Sequence, residues 1–371
     1  MKIGIDTGGT FTDLVAKKEN HLFHIKVPST PTHPEQAILA ALELLAEKTD
    51  APILQSDIRH GTTVATNTLL EKKGARVVLI TNTNFEDLFF LRRQARDNLY
   101  ALHPELPASI IQAENIIGID GRIDPWGKEI EPPENLAAWH ENNRLVFEKA
   151  DAIAICLLHS YANPKHEREL GTFLRKYYPQ TSLTLSSALA PLEREYERTT
   201  TVVANAYVAP KLERYISALS CSLNAATLNI MGSAGGLLPV SRIINEPVHS
   251  LVSGPAGGVR GAWMAGMRFG RRNLLSLDMG GTSTDIALVE GNLESRNETS
   301  LENLPLRIPF LPIETIGAGG GSIAFIDDGG NLRVGPKSAG ANPGPAAYGK
   351  QKKPFLPTVT DANVVLGRIE N

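Results

Sequence analysis

Two short phrases hold the residues best suited to chemistry. Asp6-Thr7-Gly8-Gly9-Thr10-Phe11-Thr12-Asp13 and Asp278-Met279-Gly280-Gly281-Thr282-Ser283-Thr284-Asp285 agree at the first aspartate, the Gly-Gly-Thr core, the second threonine and the closing aspartate. Adjacent glycines let backbone N–H groups turn toward an anion and approach it closely, and threonine hydroxyls add short donors to phosphate oxygens. A carboxylate at the end of the leading strand can hold a hydrated magnesium ion that bridges the same phosphates. Gly8, Gly9, Thr10, Thr12, Gly280, Gly281, Thr282 and Thr284 are therefore candidate phosphate ligands, and Asp6 and Asp278 candidate cofactor and metal ligands. For either copy alone, a hairpin turn whose Asp and Thr bond only their own backbone is an even alternative. The phrase occurs twice, each time between two apolar runs: Lys2 to Ile5 and Leu14 to Ala16, then Leu274 to Leu277 and Ile286 to Val289. That repetition favours a shared task, a clamp closing on a polyphosphate from two sides.

Other residues are candidates with structural alternatives beside them. His60-Gly61-Thr62-Thr63 follows a short strand and opens a predicted helix whose N-terminus suits an anion; His60 is a candidate acid or base, or a structural histidine at a strand end. Asp13 and Asp285 complete the candidate catalytic set, and each could instead cap its hairpin. Arg92, Arg93 and Arg96 could grip a substrate carboxylate or form a solvated helix face. Gly319, Gly320 and Gly321, within Gly317 to Ser322, could offer backbone donors to a nucleotide or form a mobile loop. Gly319, Gly321 and Ala324 fit a dinucleotide pattern, but no strand-helix-strand unit with a ribose-binding acid surrounds them. Gly330 to Ser338 nearly imitates a P-loop, but Pro336 separates the glycine from Lys337.

The elements that must position these residues read as α/β. Lys2 to Ile5, Leu14 to Lys17 and Leu22 to Val27 predict an antiparallel meander. Pro34 to Lys48, His60 to Glu71, Pro133 to Lys149, His166 to Tyr177 and Glu193 to Leu223 predict helices, with buried strands at Arg76 to Thr81, Ala152 to His159 and Leu183 to Leu185. Pro179 to Pro191 is poor in charge, so a junction near Ser187 divides the chain into 1–187 and 188–371. Gly257, Gly261 and Ala265 form a small-residue stripe suited to a close helix crossing at an interdomain hinge, or to simple core packing.

Bulk composition narrows the class. The 371 residues are 42% hydrophobic, enough for a two-lobed core. The 37 basic and 40 acidic residues leave a formal charge of −3 and no basic face for nucleic acid. Cys156 and Cys221 cannot build a disulfide framework, so a reducing, cytoplasmic setting is expected. No apolar leader core follows Met1, and no run reaches membrane-helix length.

The two repeated phrases resemble the phosphate motifs of the superfamily that includes sugar kinases, heat-shock ATPases and actin. With His60 to Asn67, Asn205-Ala206-Tyr207, Ser253 to Gly258, Ile316 to Ser322 and Thr360-Asp361-Ala362-Asn363, they make the whole chain similar to the hydantoinase A/oxoprolinase family with its N-terminal domain. The resemblance implies two ribonuclease-H-like, actin-like ATPase lobes of mixed sheets with an antiparallel meander flanked by helices. It also implies ATP and Mg2+, a small cyclic amide such as a hydantoin or 5-oxoproline as substrate, and a second, hydantoinase B-type subunit. Ketone carboxylases have similar ATP-handling subunits; a small-molecule kinase or a non-catalytic nucleotide-binding module are the remaining expectations. Members of the family continue well past the Thr360 phrase, so a C-terminally truncated chain is expected here.

Overall fold

The computed structural model describes residues 1–8, 11–30, 33–49, 56–94, 100, 102–103, 109–223, 227–301, 303–340, 343–351, 353 and 355–369; Gly9, Thr10 and Arg96 lie outside the described residues. Lys2–Thr7 (β1), Phe11–Lys18 (β2) and His21–Pro28 (β3) form the expected antiparallel meander. Strand alternation buries Ile3, Ile5 and Thr7 while Lys2, Gly4 and Asp6 face away from the core. Pro34–Thr49 (α1) lays Ile38, Ala41, Leu42 and Leu45 into that core, a stripe at helical spacing.

Asp57–Thr62 (β4) then pairs parallel to β1, and Val64–Leu70 (α2) follows. The helix expected from His60 thus begins later. His60 and Thr62 alternate inward as strand residues opposite Ile5 and Thr7, and pairing with β1 outweighs the short helical pattern.

Val77–Asn82 (β5) opens a second sheet. Leu88–Leu91 (α3), Ile116–Ile119 (β6), the Arg122–Ile123 (β7) and Glu129–Glu131 (β8) pair, Leu136–Phe147 (α4), Ala152–Ile155 (β9), Lys165–Tyr177 (α5), Ser182–Leu185 (β10) and Ser186–Leu189 (α6) follow. The sheet order is β10-β9-β5-β6, all parallel. β5 and β9 are buried at every position, which is why they read as unbroken apolar runs. Asn135 starts α4 by accepting the amides of Ala137 and Ala138 at 3.1 and 3.0 Å.

Glu195–Leu223 (α7) runs between the two sheets, and every residue from Tyr196 to Ala209 is buried. Its threonines accordingly find internal partners: Thr199 Oγ1 donates to Cys156 Sγ at 3.2 Å and Thr201 Oγ1 to the Glu197 carbonyl at 2.6 Å. Asn205, fully buried, donates to Thr184 Oγ1 at 3.0 Å and accepts the Val248 amide at 3.1 Å.

Thr227–Met231 (β11) and Leu237–Pro239 (β12) return to the first sheet, whose order is β12-β11-β4-β1-β2-β3. The junction expected near Ser187 falls within α6, yet the first sheet takes its last two strands from beyond it. The strands of the parallel sheet thus fall in sequence between β4 and β11 of the first sheet.

Val240–Asn245 (α8) and Ser253–Arg268 (α9) lead to the second lobe. There Asn273–Met279 (β13), Thr284–Glu290 (β14) and, after the Thr299–Leu301 (β15) and Leu304–Leu306 (β16) pair, Glu314–Ile316 (β17) form a sheet in the order β13-β14-β17. Ser322–Ile326 (β18), Leu332–Ser338 (β19) and Val359–Val365 (α10) follow. Ala256, Val259, Ala287, Val289 and Leu311 form a small core joining α9 to β14. No helix among the described residues is long and apolar enough to cross a membrane.

Candidate active site

The repeat in sequence is a repeat in structure. Strand register pairs Asp6 with Asp13 and Thr7 with Thr12 in one hairpin, and Asp278 with Asp285 and Met279 with Thr284 in the other. In each turn the first glycine amide donates to the carbonyl of the residue preceding the second threonine: Gly8 to Phe11 at 3.0 Å, Gly280 to Ser283 at 2.9 Å. In the second hairpin that bond folds the chain so that Gly281 and Thr282 form the tip. At Gly281 an added Cβ would meet nothing within 4 Å, so that side of the tip is open.

Helix α9 brings the two leading aspartates to one place. A Cβ on Gly254 would come within 3.5 Å of Asp6 Oδ1, and one on Gly258, a turn later on the same face, within 3.8 Å of Asp278 Oδ2. Gly61, the register partner of Asp6 on β4, is tighter still: its Cβ would lie 3.0 Å from Asp6 Oδ1. Three glycines therefore make the wall on which the carboxylates rest. Burial, then the like charges of Asp13 and Asp278, push the Asp6 carboxyl above the usual range, with Lys26 partly opposing. Two mutually repelling carboxylates near the N-terminal end of a 16-residue helix are a donor set that a hard divalent cation relieves.

Backbone anchors fix that helix end. Ser253 Oγ donates to the Thr62 carbonyl at 3.0 Å, and the Val252 amide donates to Thr66 Oγ1 at 2.9 Å. Val252 itself adopts a left-handed φ of 55°, costly for a β-branched residue and held by these bonds. The stripe expected at Gly257, Gly261 and Ala265 does not make the close approach: Gly257 would meet Met231 only at 3.7 Å, and Gly261 meets nothing within 4 Å. Smallness matters instead at Gly254 and Gly258.

The remaining candidates fall into two groups. Thr12 and Thr284 are buried: Thr12 Oγ1 lies 3.0 Å from Ser29 Oγ, which donates to the Gly8 carbonyl at 2.8 Å, and Thr284 Oγ1 donates to the Ala318 carbonyl at 2.5 Å. Both hydroxyls brace a tip from behind. Asp13 is held by Lys26 at 2.8 Å and His24 at 3.3 Å, whereas Asp285 accepts a bond from Thr315 Oγ1 at 2.6 Å.

His60 is not brought to the cleft. Its ring is fully buried, with Nδ1 3.3 Å from the Ile5 carbonyl and Nε2 2.6 Å from the Tyr215 hydroxyl. A carbonyl only accepts, so Nδ1 carries the proton and Tyr215 donates to Nε2. Burial lowers the His60 pKa to about 4.

The glycine loop also differs from its expected use. The amides of Gly320 and Gly321 donate to the carbonyls of Gly280 and Gly281 at 2.9 and 2.6 Å, and that of Gly319 to Ser322 Oγ at 2.9 Å. Cβ atoms on Gly319 or Gly321 would stand 2.8 Å from that hairpin backbone. These glycines back the second tip, and Thr360 in turn donates its amide and hydroxyl to the Gly320 carbonyl at 2.7 and 2.8 Å. Arg93 is engaged by Glu197 and Glu298.

Sequence reasoning missed Gly61, Gly254 and Gly258 as parts of the site. The signal was present in His60 to Thr63 and Ser253 to Gly258, but glycines that serve by closeness to a distant carboxylate have no signature of their own.

Residues 2–178 match the hydantoinase/oxoprolinase N-terminal region and residues 198–371 match hydantoinase/oxoprolinase. Caprolactamase subunit alpha of Pseudomonas jessenii is 37% identical, aligned over 99% of this chain and 54% of its own. The 5-oxoprolinase of Saccharomyces cerevisiae is 34% identical over 100% of this chain and 32% of its own. A crystal structure of ATP-dependent caprolactamase from Pseudomonas jessenii matches with a TM-score of 0.86 at 34% identity, covering 100% of this chain and 55% of that one. Nucleotide-free acetone carboxylase matches with a TM-score of 0.82 at 26% identity, over 100% of this chain and 55% of that one. The chain thus spans about half the length of the curated caprolactamase subunit and a third of the 5-oxoprolinase. The fold is the actin-like ATPase architecture expected from the sequence.

Proposed function

The chain belongs to the hydantoinase/oxoprolinase family, and from that premise we propose that it is the nucleotide-handling part of an ATP-dependent enzyme that opens cyclic amides. The observation that carries this reading is the pair of matching hairpin tips with Asp6 and Asp278 side by side along α9. ATP with magnesium would supply a transferable γ-phosphoryl group. Asp6 and Asp278 would hold the cation, a sparse protein donor set of the kind magnesium accepts when phosphate and water complete its shell. Gly8, Gly9, Thr10, Gly280, Gly281 and Thr282 would hold phosphate oxygens through backbone amides and the threonine hydroxyls.

The γ-phosphoryl group passes to the lactam carbonyl oxygen as its bond to ADP breaks. Water would then add to the carbonyl carbon and the C–N bond would open with the proton passing to the departing nitrogen, leaving an acyl phosphate that a second water hydrolyses to the carboxylate and phosphate. Asp285, with a single threonine donor, is the better placed candidate base; Asp13 is neutralised by Lys26. His60 is assigned a positioning role under Asp6. A second, hydantoinase B-type subunit completing hydrolysis and a cytoplasmic setting belong to the same proposal. The likeness to acetone carboxylase favours one alternative, activation of a ketone for carboxylation.

Calorimetric titration of the 371-residue chain with Mg-ATP and Mg-pyrophosphate tests the clamp. Asp6→Asn and Asp278→Asn should each weaken binding by about tenfold or more, that is ~1.4 kcal/mol, while the exposed Cys221→Ser leaves it unchanged. Equal indifference of all three would sink the assignment. Phosphate release stimulated by 5-oxoproline, hydantoin or caprolactam supports the cyclic-amide reading; stimulation only by acetone with bicarbonate supports the carboxylase reading.

A further inference from the structure

Arg93 does more than pair with one carboxylate. Its Nε donates to Glu197 Oε1 at 2.6 Å and its Nη2 to Glu298 Oε1 at 2.9 Å. Glu298 stands just before β15, and its second oxygen lies 3.6 Å from both Arg194 Nη1 and Arg307 Nη2. That separation is within ion-pair reach and beyond a hydrogen bond. One carboxylate therefore sits among three guanidiniums and bonds only one of them. Among the described residues, Arg93, Arg194 and Arg307 set against Glu197 and Glu298 leave positive charge uncancelled.

The place suits a ligand. Arg93 lies on the connection that leaves β5, Arg194 immediately precedes α7, and the loop after β9 brings Tyr161, over whose ring the Arg198 guanidinium lies at 5.3 Å. These are the carboxyl ends of the parallel strands. β5 is followed by its neighbour β6 on one side and β9 by β10 on the other, so the chain departs in opposite directions between β5 and β9, the point where open α/β sheets take their ligands. The backbone around it is held in an uncommon form: Arg92, His159 and Arg194 adopt left-handed φ values of 54°, 55° and 71°. Beneath, Arg198 is 1% exposed and donates to neutral acceptors, Ser160 Oγ at 3.0 Å and the Leu157 carbonyl at 2.7 Å. Its Nε and that of Arg307 are buried with no acceptor among the described residues.

We propose that Arg93, Arg194 and Arg307 form a binding site for the carboxylate of a small molecule, and that Glu298 occupies it as a tethered competitor. The planar guanidinium fork matches the two oxygens of a carboxylate. A ligand that displaces Glu298 exchanges one carboxylate for another, so the charge of the site is kept and Glu298, already partly exposed, turns to water. A neutral molecule of the same shape cannot make that exchange. For the reaction proposed above, the site would select cyclic amides that carry a carboxylate. That last assignment rests on the cyclic-amide reading; the site itself does not.

The test is calorimetric titration of the full 371-residue chain, without nucleotide, with 5-oxoproline and with 2-pyrrolidinone, the same ring lacking the carboxylate. 5-Oxoproline should bind at least about tenfold more tightly, and Arg93→Gln and Arg194→Gln should each remove about that advantage. Arg144→Gln, the same change of charge at an ion-paired helix surface elsewhere, should leave it unchanged. Glu298→Gln should tighten 5-oxoproline binding severalfold, because the competitor no longer holds the site closed to part of the population. An ion-pair network that only braces the fold gives no reason for that gain. The Arg93 and Arg194 side chains are more than half exposed, and unchanged melting temperatures will show that their variants fold. Failure of 5-oxoproline to bind, binding no tighter than that of 2-pyrrolidinone, or a Glu298→Gln variant that binds equally or more weakly overturns the proposal. Mg-ATP titrations of the same samples report on the clamp alone, so either reading can fail without the other.

Discussion

Asp6 sits where its charge is least comfortable, and that discomfort is testable. Its raised pKa means that the folded chain binds this proton more tightly than the unfolded chain does. As pH rises through the interval between the unfolded and folded values, the group therefore subtracts stability. At neutral pH, Asp6→Asn should raise the melting temperature of the ligand-free chain, by about 1–2 °C once solvent screening is allowed for, while weakening Mg-ATP binding. A melting temperature lowered by the substitution would show that the carboxylate is satisfied without a cation. His60 works in the opposite sense. Its pKa, lowered from 6.5 to about 4, makes the folded state bind fewer protons than the unfolded state between those values, so stability is lost as pH falls through that window. The slope approaches about 1.4 kcal/mol per pH unit. His60→Ala should cost about 2–4 kcal/mol by leaving a cavity and removing the Nε2 acceptor of the Tyr215 hydroxyl, and should flatten that acid limb in urea titrations run at several pH values. The repeated aspartates were legible in the sequence because their chemistry is intrinsic to the residue type. Gly61, Gly254 and Gly258 were not, because their contribution is the absence of a Cβ beside a partner far away in the chain.

At the scale of elements, the site is two hairpins and the pieces that hold them still. Each tip is braced from behind, the first by Ser29 and the second by the Gly319 to Gly321 loop, which α10 supports through Thr360. A Cβ at Gly319 would stand 2.8 Å from the Gly280 carbonyl oxygen, and that backbone cannot yield without moving the tip. Gly319→Ala should therefore lower turnover by on the order of 100-fold, an effect of misplacement rather than of lost contact. Thr360→Val removes one of two bonds to the Gly320 carbonyl and should have a smaller effect in the same phosphate-release assay. If Gly319→Ala retains full activity, the loop does not set the position of the second tip. Strands and long helices were read well from the sequence, since alternation in β1 and the α1 stripe are local patterns. The end of β4 reads locally as the start of a helix because what makes His60 a strand residue is its pairing with Ile5, which no local pattern records.

At the scale of the whole molecule, one motif exists in two states of completion. Among the described residues, β1 is bonded on both edges and β13 on one. Protection against hydrogen exchange follows the cost of opening, which is low where a strand edge and an apolar face are both open to water. The β13 amides that do not bond β14 should exchange within about seconds, while those of β1 persist for on the order of hours. Mass spectrometry of peptides spanning 2–7 and 273–279 makes the comparison within a single sample, so pH and temperature cancel. Equal protection would mean that the free chain already covers β13. Repeating the exchange at about tenfold dilution separates the two ways this can happen, because self-association loses protection on dilution and an intramolecular cover does not. A fast β13 beside a slow β1 identifies the second tip as the less rigid half of the clamp.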